Sequence, residues 1–496
     1  MEQRYRDLID ILVKKSMHPG LVAGIIGGYF ILLILISYFT SGKGDAKAFF
    51  TGNRQSPWYL VAFGMIGASL SGVTFISVPG WVGDTSFAYM QMVLGYIPGY
   101  LVIAVVLLPL YYKLNLVSIY QYLEKRFGFY SYKTGAFFFL ISRVIGASLR
   151  LFLVASVLQI AFFNSFHIPF EVSVLVTIVL IWIYTFRGGI KTIVWTDTLQ
   201  TLFMLLAVGI TIVIISRDME FSAGGLIQTI SESHYSKIFN WDWHSKTNFF
   251  KQFFAGAFTA IVMTGLDQDM MQKNLTCKTL GESQKNMLWF SLSLIVVNLF
   301  FLSLGALLFM YAQSNGIALP ERSDDLYPLL ALNHLGTFAG IIFLLGITAA
   351  AYSSADSALT ALTTSFSVDF LGMDAEKDNK KLRTLIHIGF SALLFMVIIV
   401  FKAINDQNVI SAVFTAAGYT YGPLLGLYAF GLFTKRQAKD TIVPFIAILA
   451  PILSYLLSIY SETLLWGYKF GFELLIVNGS ITFIGLWVFS SRRELS

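Results

Sequence analysis

Cysteine, charge and metal-binding motifs are all scarce in this chain of 496 residues. Cys277 is the only cysteine, which excludes a disulfide framework and a metal site built from cysteines. The six histidines have no HExxH or similar spacing, so the sequence does not support zinc chemistry. Charged residues make up 12% of the chain, against roughly 25% in soluble proteins. An ordinary soluble enzyme is therefore excluded, and no Ser/His/Asp set or phosphate-binding loop indicates catalysis.

The sequence is rich in long runs of apolar residues. Hydrophobic residues make up 56% of the chain, and the mean hydropathy is +0.70. Because a bilayer core about 30 Å thick takes roughly 20 helical residues, the runs predict an all-α integral membrane protein with about 13 transmembrane helices. The runs are 21–40, 58–80, 89–111, 134–163, 170–186, 194–216, 249–271, 287–313, 336–370, 384–401, 409–433, 442–460 and 470–491. Residues 1–20 are predicted to be an N-terminal tail or an amphipathic surface helix.

Two blocks of five spans, residues 58–216 and 249–433, are predicted to form an inverted repeat. Because five is odd, the second block enters the membrane from the side opposite to the first. The leading span of each block is interrupted by small residues, at 64–80 and at 253–271. Such matched interruptions indicate a transporter with a binding site at the membrane midplane, although small residues also permit close helix packing. Residues 21–40 are then an extra N-terminal span.

Loop charges predict the orientation of the chain. Lys and Arg concentrate in the loops on the side of the C-terminus, which predicts a cytoplasmic C-terminus, whereas the basic N-terminal tail argues against it. Residues 434–496 are predicted to form two further spans and a cytoplasmic tail. The outer segment 217–248, with Trp241, Asp242 and Trp243, is interpreted either as a lid or as interfacial packing of its tryptophans.

Six segments carry a resemblance to one transporter family. They are FFTGNRQSPWYLVAFGMIGAS (49–69), VSIYQYLEKRFG (117–128), YTFRGGIKTIVWTDTLQ (184–200), GLDQDMMQKNL (265–275), SSADSALTALTTSFSVDF (353–370) and YGPLLGLYAFGLFTKR (421–436). In their order and spacing they resemble the sodium:solute symporter family. One departure is Ile190-Lys191-Thr192, where the family usually has Leu-x-Ala. The resemblance implies a LeuT-type five-plus-five inverted repeat in which the first helix of each repeat is discontinuous.

The resemblance also implies a function, namely symport of a small polar organic solute with Na+ as the coupling ion, by alternating access. The expected partners are the solute and the lipid bilayer, without nucleic acid or an obligate protein partner. The family and the compact loops together indicate the bacterial inner membrane. An ion channel is a weaker alternative, because a channel does not need an inverted repeat with two broken helices.

A sodium site is predicted where the first repeat helix breaks. Ala350, Ser353 and Ser354 are spaced to lie on one helix face, where two hydroxyls and a carbonyl offer three of the oxygen ligands that sodium needs. Carbonyls exposed at Gly72 and Phe75 would supply the rest. By resemblance, these five positions match the family's common sodium site. The alternative is that the small residues permit tight packing and the hydroxyls bond to the preceding turn.

A second sodium site is predicted at Asp197, Ser353, Asp356 and Ser357. Acids in the middle of a membrane are costly and therefore indicate function. By resemblance, Asp197 matches an acidic position that some family members use for a second ion. The alternatives are that Asp197 is an N-cap, or that a carboxylate here carries a proton.

The solute is predicted to contact Ser71, Thr74, Gln91 and Arg150. A guanidinium deep in a span needs an anionic partner, and its fork fits a carboxylate. By resemblance, Arg150 corresponds to the arginine with which sialic acid carriers hold the substrate carboxylate. The alternative is an internal ion pair of Arg150 with Asp197 or Asp356. A carboxylate-bearing solute such as a sialic acid is therefore preferred.

A plain sugar is the second candidate for the solute. Sugar carriers place a polar side chain and a gating tyrosine where this chain has Phe414 and Met263, so the resemblance favours the carboxylate. The remaining dense acid group is Asp267 and Asp269, which are predicted to cap their helix or to pair with Lys273.

Overall fold

A computed structural model describes residues 19–40, 54–185, 189–373, 379–404 and 409–492. The described residues are almost entirely helical. The first repeat block and the segment before it contain α1 Pro19–Thr40, α2 Trp58–Thr85, α3 Tyr89–Val102, α4 Leu108–Leu114, α5 Gln121–Arg126, α6 Phe129–Ala161, α7 Phe170–Thr185 and α8 Gly189–Asp218. A π-helical turn, Ile103–Leu107, joins α3 to α4. Most of the predicted N-terminal tail or surface helix lies outside the described residues.

The second half of the chain continues the helical pattern. It contains α9 Ala223–Glu232, α10 Phe249–Ala260, α11 Gln268–Asn274, α12 Leu280–Ser314, α13 Leu326–Asn333, α14 Gly336–Ser365, α15 Lys380–Ile404, α16 Val409–Thr420, α17 Gly422–Phe433, α18 Val443–Leu464 and α19 Leu474–Val488. Short 3-10 turns lie at Ser86–Ala88, Phe163–Phe166, His234–Ser236, Ser323–Asp325 and Asp440–Ile442. β1 Arg436–Ala438 and β2 Ser490–Arg492 form an antiparallel pair in which Gln437 faces Ser491.

Eight helical stretches in the described ranges are long and apolar enough to cross a membrane, or nine if one bent pair is a single span. One of them, Trp58–Leu114, has 57 residues, which is about 85 Å of helix against a bilayer core of about 30 Å. This stretch must therefore cross more than once, as the predicted spans 58–80 and 89–111 require. The all-α membrane architecture is confirmed, whereas the count of 13 transmembrane helices stays a prediction.

Both predicted helix breaks are present. Helix α2 is interrupted at Ser71, whose φ of 40° and ψ of 175° are not helical. The second break lies at Leu266 and Asp267, where the axis bends by 69° between Phe249–Gly265 and Gln268–Asn274. A break leaves the carbonyls of the turn before it and the N–H groups of the turn after it without helical partners. A break can therefore offer backbone groups to a ligand, unless side chains of the protein already bind them.

Glycines bring α2 close to α8. A Cβ on Gly67 would lie 2.2 Å from Thr201 Oγ1, and one on Gly64 would lie 3.1 Å from Asp197 Cβ. Only glycine permits this approach without displacement of the neighbouring helix. Asp197 is consequently packed against the first half of α2, well inside the protein, with no exposed surface.

Candidate functional site

A cavity lies at the break of α2. Its empty volume is about 710 Å³, which includes space open to the exterior. Polar and charged side chains in its lining are Ser69, Ser71, Thr74, Tyr89, Tyr96, Tyr100, Arg143, Arg150, Thr259, Thr264 and Asn298. Met263 and Phe414, the two apolar residues that were set against a plain sugar, also line it. A smaller cavity shares Arg143, Arg150 and Met263 with the first and extends along α16 to Tyr421.

Aromatic rings cluster on one side of the cavity. Tyr89 lies between Trp81 and Phe414, with ring centroids 5.8 and 6.3 Å away. Phe472, from the connection between α18 and α19, packs on Phe414 at 5.1 Å. The hydroxyl of Tyr89 also bonds to that of Tyr96 at 2.9 Å. Tyr89, Tyr96 and Phe414 of this cluster line the cavity.

Arg150 is a buried cation with no partner among the described residues. Its side chain lines the cavity, the residue is 8% exposed, and its Nε has no hydrogen bond. Arg143, two helical turns earlier on α6, is instead paired with Asp269 and lies 4.0 Å from Asp267 Oδ2. The alternative in which Arg150 pairs with Asp197 is wrong, since that carboxylate pairs with Lys273. An unpaired guanidinium in a cavity is suited to bind a carboxylate from outside the protein.

The small-residue face of α14 meets the end of the first half of α2. Ala350, Ser353 and Ser354 are buried there, and the Ser354 hydroxyl lies 3.3 Å from the carbonyl of Ala68 and 3.5 Å from that of Ala350. This juxtaposition gathers hydroxyl and carbonyl oxygens beside the break at Ser71. It is the kind of oxygen set that a hard monovalent cation prefers.

The structure does not support the two backbone carbonyls, of Gly72 and Phe75, that are predicted as sodium ligands. Gly72 and Phe75 lie after the break, where free N–H groups rather than free carbonyls are expected. The Phe75 ring packs against Tyr327 and Phe343, with centroids 5.3 and 5.8 Å away. The carbonyl next to Ser354 belongs to Ala68, before the break. The sequence alone did not place the break to the residue, because the run GASLSG contains several small residues.

The predicted second set contains a buried ion pair. Asp197 lies well inside α8, which excludes the N-cap alternative. Its Oδ1 accepts a hydrogen bond from Ser353 Oγ at 2.8 Å, and its Oδ2 lies 2.7 Å from Lys273 Nζ. Ser357 donates to the Ser353 carbonyl at 2.9 Å and lies 3.3 Å from Asp269 Oδ2, while the fully buried Asp356 accepts from the N–H of Ser357.

Asp267 and Asp269 differ in role. Asp267 caps α11, as predicted, by accepting hydrogen bonds from the N–H groups of Asp269 and Met270 at 2.9 and 3.3 Å. Asp269 pairs with Arg143 rather than with Lys273, so the prediction of its partner is wrong. Tyr421, at the junction of α16 and α17, donates to Asp267. These contacts connect α6, α11 and α17 at one end of the cavity.

The carbonyls at the second break accept hydrogen bonds from tyrosine side chains, which the structure does not place at the first break among the hydrogen bonds of the described residues. Tyr111 donates to the carbonyl of Gly265 at 2.8 Å, and Tyr120 donates to that of Leu266 at 3.0 Å. Gln268, just after the break, exchanges hydrogen bonds with the backbone of Val117 and Ile119, both at 3.0 Å. These side chains fix the second break in the protein, which leaves the first break as the better place for a ligand.

The structure also corrects the prediction for Gln91. Gln91 is fully buried and all of its polar atoms are used by the protein: Nε2 donates to the carbonyls of Ala88 and Thr247 at 3.1 and 3.0 Å, and Oε1 accepts from the N–H of Asn240 at 3.1 Å. It therefore anchors the outer segment rather than a solute. Ser71 and Thr74 do line the cavity.

Sequence reasoning missed Lys273 and Asn298 as site residues. Lys273 follows the predicted span 249–271, so the sequence predicts it only as a partner for the nearby acids and not as the partner of Asp197. Asn298 lies on α12, lines the cavity and has a buried Oδ1 without a hydrogen bond. No sequence signal distinguished Asn298 from an ordinary buried amide.

Comparisons with known proteins agree with this architecture. The sequence profile of the sodium:solute symporter family matches residues 49–441. The chain is 26% identical to the sodium/sialic acid symporter NanT of Aliivibrio fischeri, over 84% of this chain and 83% of that protein. It is 24% identical to the sodium/sialic acid symporter SiaT of Proteus mirabilis, over 92% and 93% of the two chains.

A solved structure of similar fold is a substrate-bound, outward-open Na+-coupled sialic acid symporter, with a TM-score of 0.79, 20% identity, and coverage of 95% of this chain and 99% of that one. The likeness confirms the expected LeuT-type fold, and the breaks in α2 and between α10 and α11 agree with the discontinuous first helix of each repeat that the resemblance implies. The match to the family covers most of the chain, and sodium-coupled transport is the activity of this family. The chain therefore belongs to the sodium:solute symporter family and is a multi-pass membrane transporter that couples solute movement to sodium.

Proposed function

We propose that this protein imports a small carboxylate-bearing solute with sodium, and that a sialic acid is the first solute to test. The observation that carries the proposal is Arg150, a buried guanidinium that faces the cavity without a partner among the described residues. Leaving such a charge unpaired is costly, and a carboxylate from the solute would satisfy it with bidentate geometry. Ser71, Thr74 and Asn298 line the same cavity and offer hydrogen bonds to hydroxyl or amide groups of the solute.

The proposed sodium ligands are the Ser353 and Ser354 hydroxyls and the carbonyls of Ala68, Ser71 and Ala350. The contact of Ser354 with the Ala68 carbonyl supports this set, as does the break at Ser71, which frees carbonyls of the preceding turn. A sodium ion bound here would hold the first half of α2 against α14. Because Ser71 also lines the cavity, the same ion would fix one wall of the solute site. This shared wall gives a physical route for coupling ion binding to solute binding.

The proposal extends to location and energetics. We place the chain in the bacterial inner membrane with its C-terminus in the cytoplasm, acting by alternating access without catalysis, nucleic acid or an obligate protein partner. One sodium ion that moves down a tenfold gradient supplies about 1.4 kcal/mol, and a potential of 100 mV adds about 2.3 kcal/mol per net charge moved. A monoanionic solute carried with one sodium ion moves no net charge. Its accumulation is therefore driven by the sodium concentration gradient alone and not by the membrane potential.

The decisive experiment measures thermal stabilisation of the purified protein by N-acetylneuraminic acid and by N-acetylmannosamine, which has no carboxylate. Each solute is added in NaCl and in KCl. We expect stabilisation by the acid in NaCl only, and a loss of acid affinity by about 30- to 1000-fold in Arg150→Gln, since a buried charge pair is worth about 2–4 kcal/mol. Arg150→Lys keeps the positive charge but not the forked guanidinium. Its affinity for the acid should therefore lie between that of wild type and that of Arg150→Gln.

The outcomes separate the parts of the proposal. Stabilisation by N-acetylmannosamine that equals stabilisation by the acid would favour a sugar carrier and contradict the role of Arg150. Unchanged acid affinity in Arg150→Gln would contradict that role directly. Uptake of radiolabelled N-acetylneuraminic acid into proteoliposomes, driven by an inward sodium gradient, then tests transport itself.

A further inference from the structure

We propose that Lys273 is a tethered cation that fills the second cation position at Asp197, so that this chain binds one sodium ion per transport cycle. The inference deepens the proposed function and rests on its sodium site at Ser353 and Ser354. It concerns the number of coupling ions, which neither the fold nor the sodium site determines.

The geometry places the ammonium where a second sodium ion would bind. Lys273 Nζ lies 2.7 Å from Asp197 Oδ2, a contact distance, and both side chains are 1% exposed. The other oxygen of this carboxylate accepts from Ser353, a residue of both predicted sodium sets. Lys273 Nζ has no other hydrogen-bond partner within the described ranges, so Asp197 is the group that holds it.

Electrostatics disfavours a sodium ion and an ammonium on the same carboxylate. The Asp197–Lys273 pair is neutral as assembled, so a sodium ion added to it would gain no net attraction. Repulsion between two unit charges about 4 Å apart at an effective dielectric of about 20 weakens binding by on the order of a thousandfold. Sodium would therefore have to displace Lys273, which would leave an ammonium buried without an anion.

Among the buried carboxylates near Lys273, Asp197 is the one that its ammonium contacts. Asp269 faces the same region through Ser357, but it is already paired with Arg143. Asp356 lies one turn after Ser353 and accepts from the N–H of Ser357. Helix α11, which carries Lys273, begins at the second break, and its N-cap Asp267 is fixed by Tyr421. The ammonium is thus held in place by α11 rather than by a mobile surface loop.

Two variants and one control test this inference. Lys273→Met removes the tethered cation and leaves Asp197, Ser353 and Ser357 as a vacant oxygen set. The double variant Asp197→Asn/Lys273→Met removes both charges, so no carboxylate remains at position 197 to attract a second sodium ion. Lys273→Arg keeps a cation at this position. Equilibrium binding of ²²Na+ to purified protein without any solute counts the ions directly and does not depend on the identity of the solute.

We expect one bound sodium ion in wild type, in Lys273→Arg and in the double variant, and two in Lys273→Met. Lys273→Met should also gain more thermal stability from NaCl over KCl than wild type does, because sodium would replace the lost ammonium. Two ions in wild type, or a single ion with an unchanged sodium response in Lys273→Met, would overturn the inference. No bound sodium in wild type would overturn the proposed function as well.

A transport measurement covers the case in which Lys273→Met does not fold. The ratio of ²²Na+ to N-acetylneuraminic acid taken up by wild-type proteoliposomes should be one, and the uptake rate should not change when the potential is clamped with valinomycin. A ratio of two with inward positive current would overturn the inference even though sodium-coupled transport of the acid would stand.

Discussion

The backbone N–H of Gly67 donates a hydrogen bond to Thr201 Oγ1 at 3.1 Å, and this buried contact joins the first half of α2 to α8. The two helices carry different parts of the site, since α2 contains Ala68 and Ser71 and α8 contains Asp197. The approach depends on the absence of a side chain at position 67, where a Cβ would collide with Thr201. Close contact at this point therefore holds the proposed sodium site next to the buried ion pair of Asp197 and Lys273.

The first prediction is that Gly67→Ala lowers the stability of the protein by about 1–3 kcal/mol, the usual cost of overpacking a close-packed interior. Thr201→Ala in the same chain should restore part of this loss, because it removes the nearest colliding atom. Gly209→Ala is the matched control, because a Cβ there meets no atom within 4 Å. Thermal unfolding in detergent measures all three, and a Gly67→Ala protein as stable as the control would contradict the argument.

The second prediction concerns Gln91, whose hydrogen bonds hold the outer segment. Gln91→Leu should cost about 1–3 kcal/mol of local stability, because the N–H of Asn240 and the carbonyl of Thr247 lose their partners. Proteolysis within residues 219–248 should accelerate by about tenfold or more, as the segment opens more often. The affinity for the solute should change by less than about threefold, since Gln91 touches the segment and not the cavity.

Limited proteolysis of the purified protein, followed by mass spectrometry of the fragments, measures the second prediction. Gln228→Leu is the control, because Gln228 lies in the same segment and its side chain donates to Glu232 on the surface of α9. A large loss of solute affinity without faster cleavage would contradict this prediction and indicate that Gln91 binds the solute.

The third prediction is that Ser354→Ala lowers the affinity for sodium by about tenfold, since it removes one of about five oxygen ligands. The midpoint of thermal stabilisation by NaCl measures this affinity. Ser454→Ala is the matched control, since Ser454 is also a buried serine that bonds to its own helix, at the Ala450 carbonyl, but it lies on α18 outside the site. An equal sodium response in Ser354→Ala and wild type would exclude Ser354 as a ligand.

Patterns local to one helix were predicted correctly from the sequence. The two interrupted spans, the shared face of Ala350, Ser353 and Ser354, and the cap at Asp267 all depend on residues within a few turns of each other. Arg150 lies deep in an apolar span, which predicts an anionic partner, and the structure places it in the lining of the cavity. Each of these predictions needs only helical periodicity and the cost of burying charge.

Contacts between distant helices were not predicted. The pairing of Lys273 with Asp197 depends on where α11 meets α8 after a bend of 69°, which no local pattern specifies. The hydrogen bonds of Gln91 depend on a long outer segment without apolar periodicity. The sequence indicates the break in α2 but not its exact residue, and a shift of a few residues exchanges free carbonyls for free N–H groups, so the prediction of Gly72 and Phe75 as carbonyl ligands is wrong.

The last prediction concerns Asp440, which caps α6 from a distant part of the chain. Asp440 accepts hydrogen bonds from the N–H groups of Tyr130 and Ser131 at 2.9 and 2.8 Å, and from Ser131 Oγ at 2.6 Å. Asp440→Ala should lower stability by about 1–2 kcal/mol, the cost of losing an N-cap, and Asp440→Asn by less, because an amide oxygen still accepts while the favourable charge at the helix N-terminus is lost. Asp242→Ala, on the exposed outer segment, is the control.

Because α6 also carries Arg143 and Arg150, this cap lies at the start of the helix that bears the proposed solute anchor, Arg150. The anchor is several turns away and is positioned by packing, so sodium and solute affinities should stay within about threefold of wild type in both Asp440 variants. Thermal unfolding and solute titration on the same samples separate the two effects. A loss of solute affinity that grows with the loss of stability would mean that the end of α6 and the position of Arg150 are coupled, and that the helix shifts along its axis when the cap is removed.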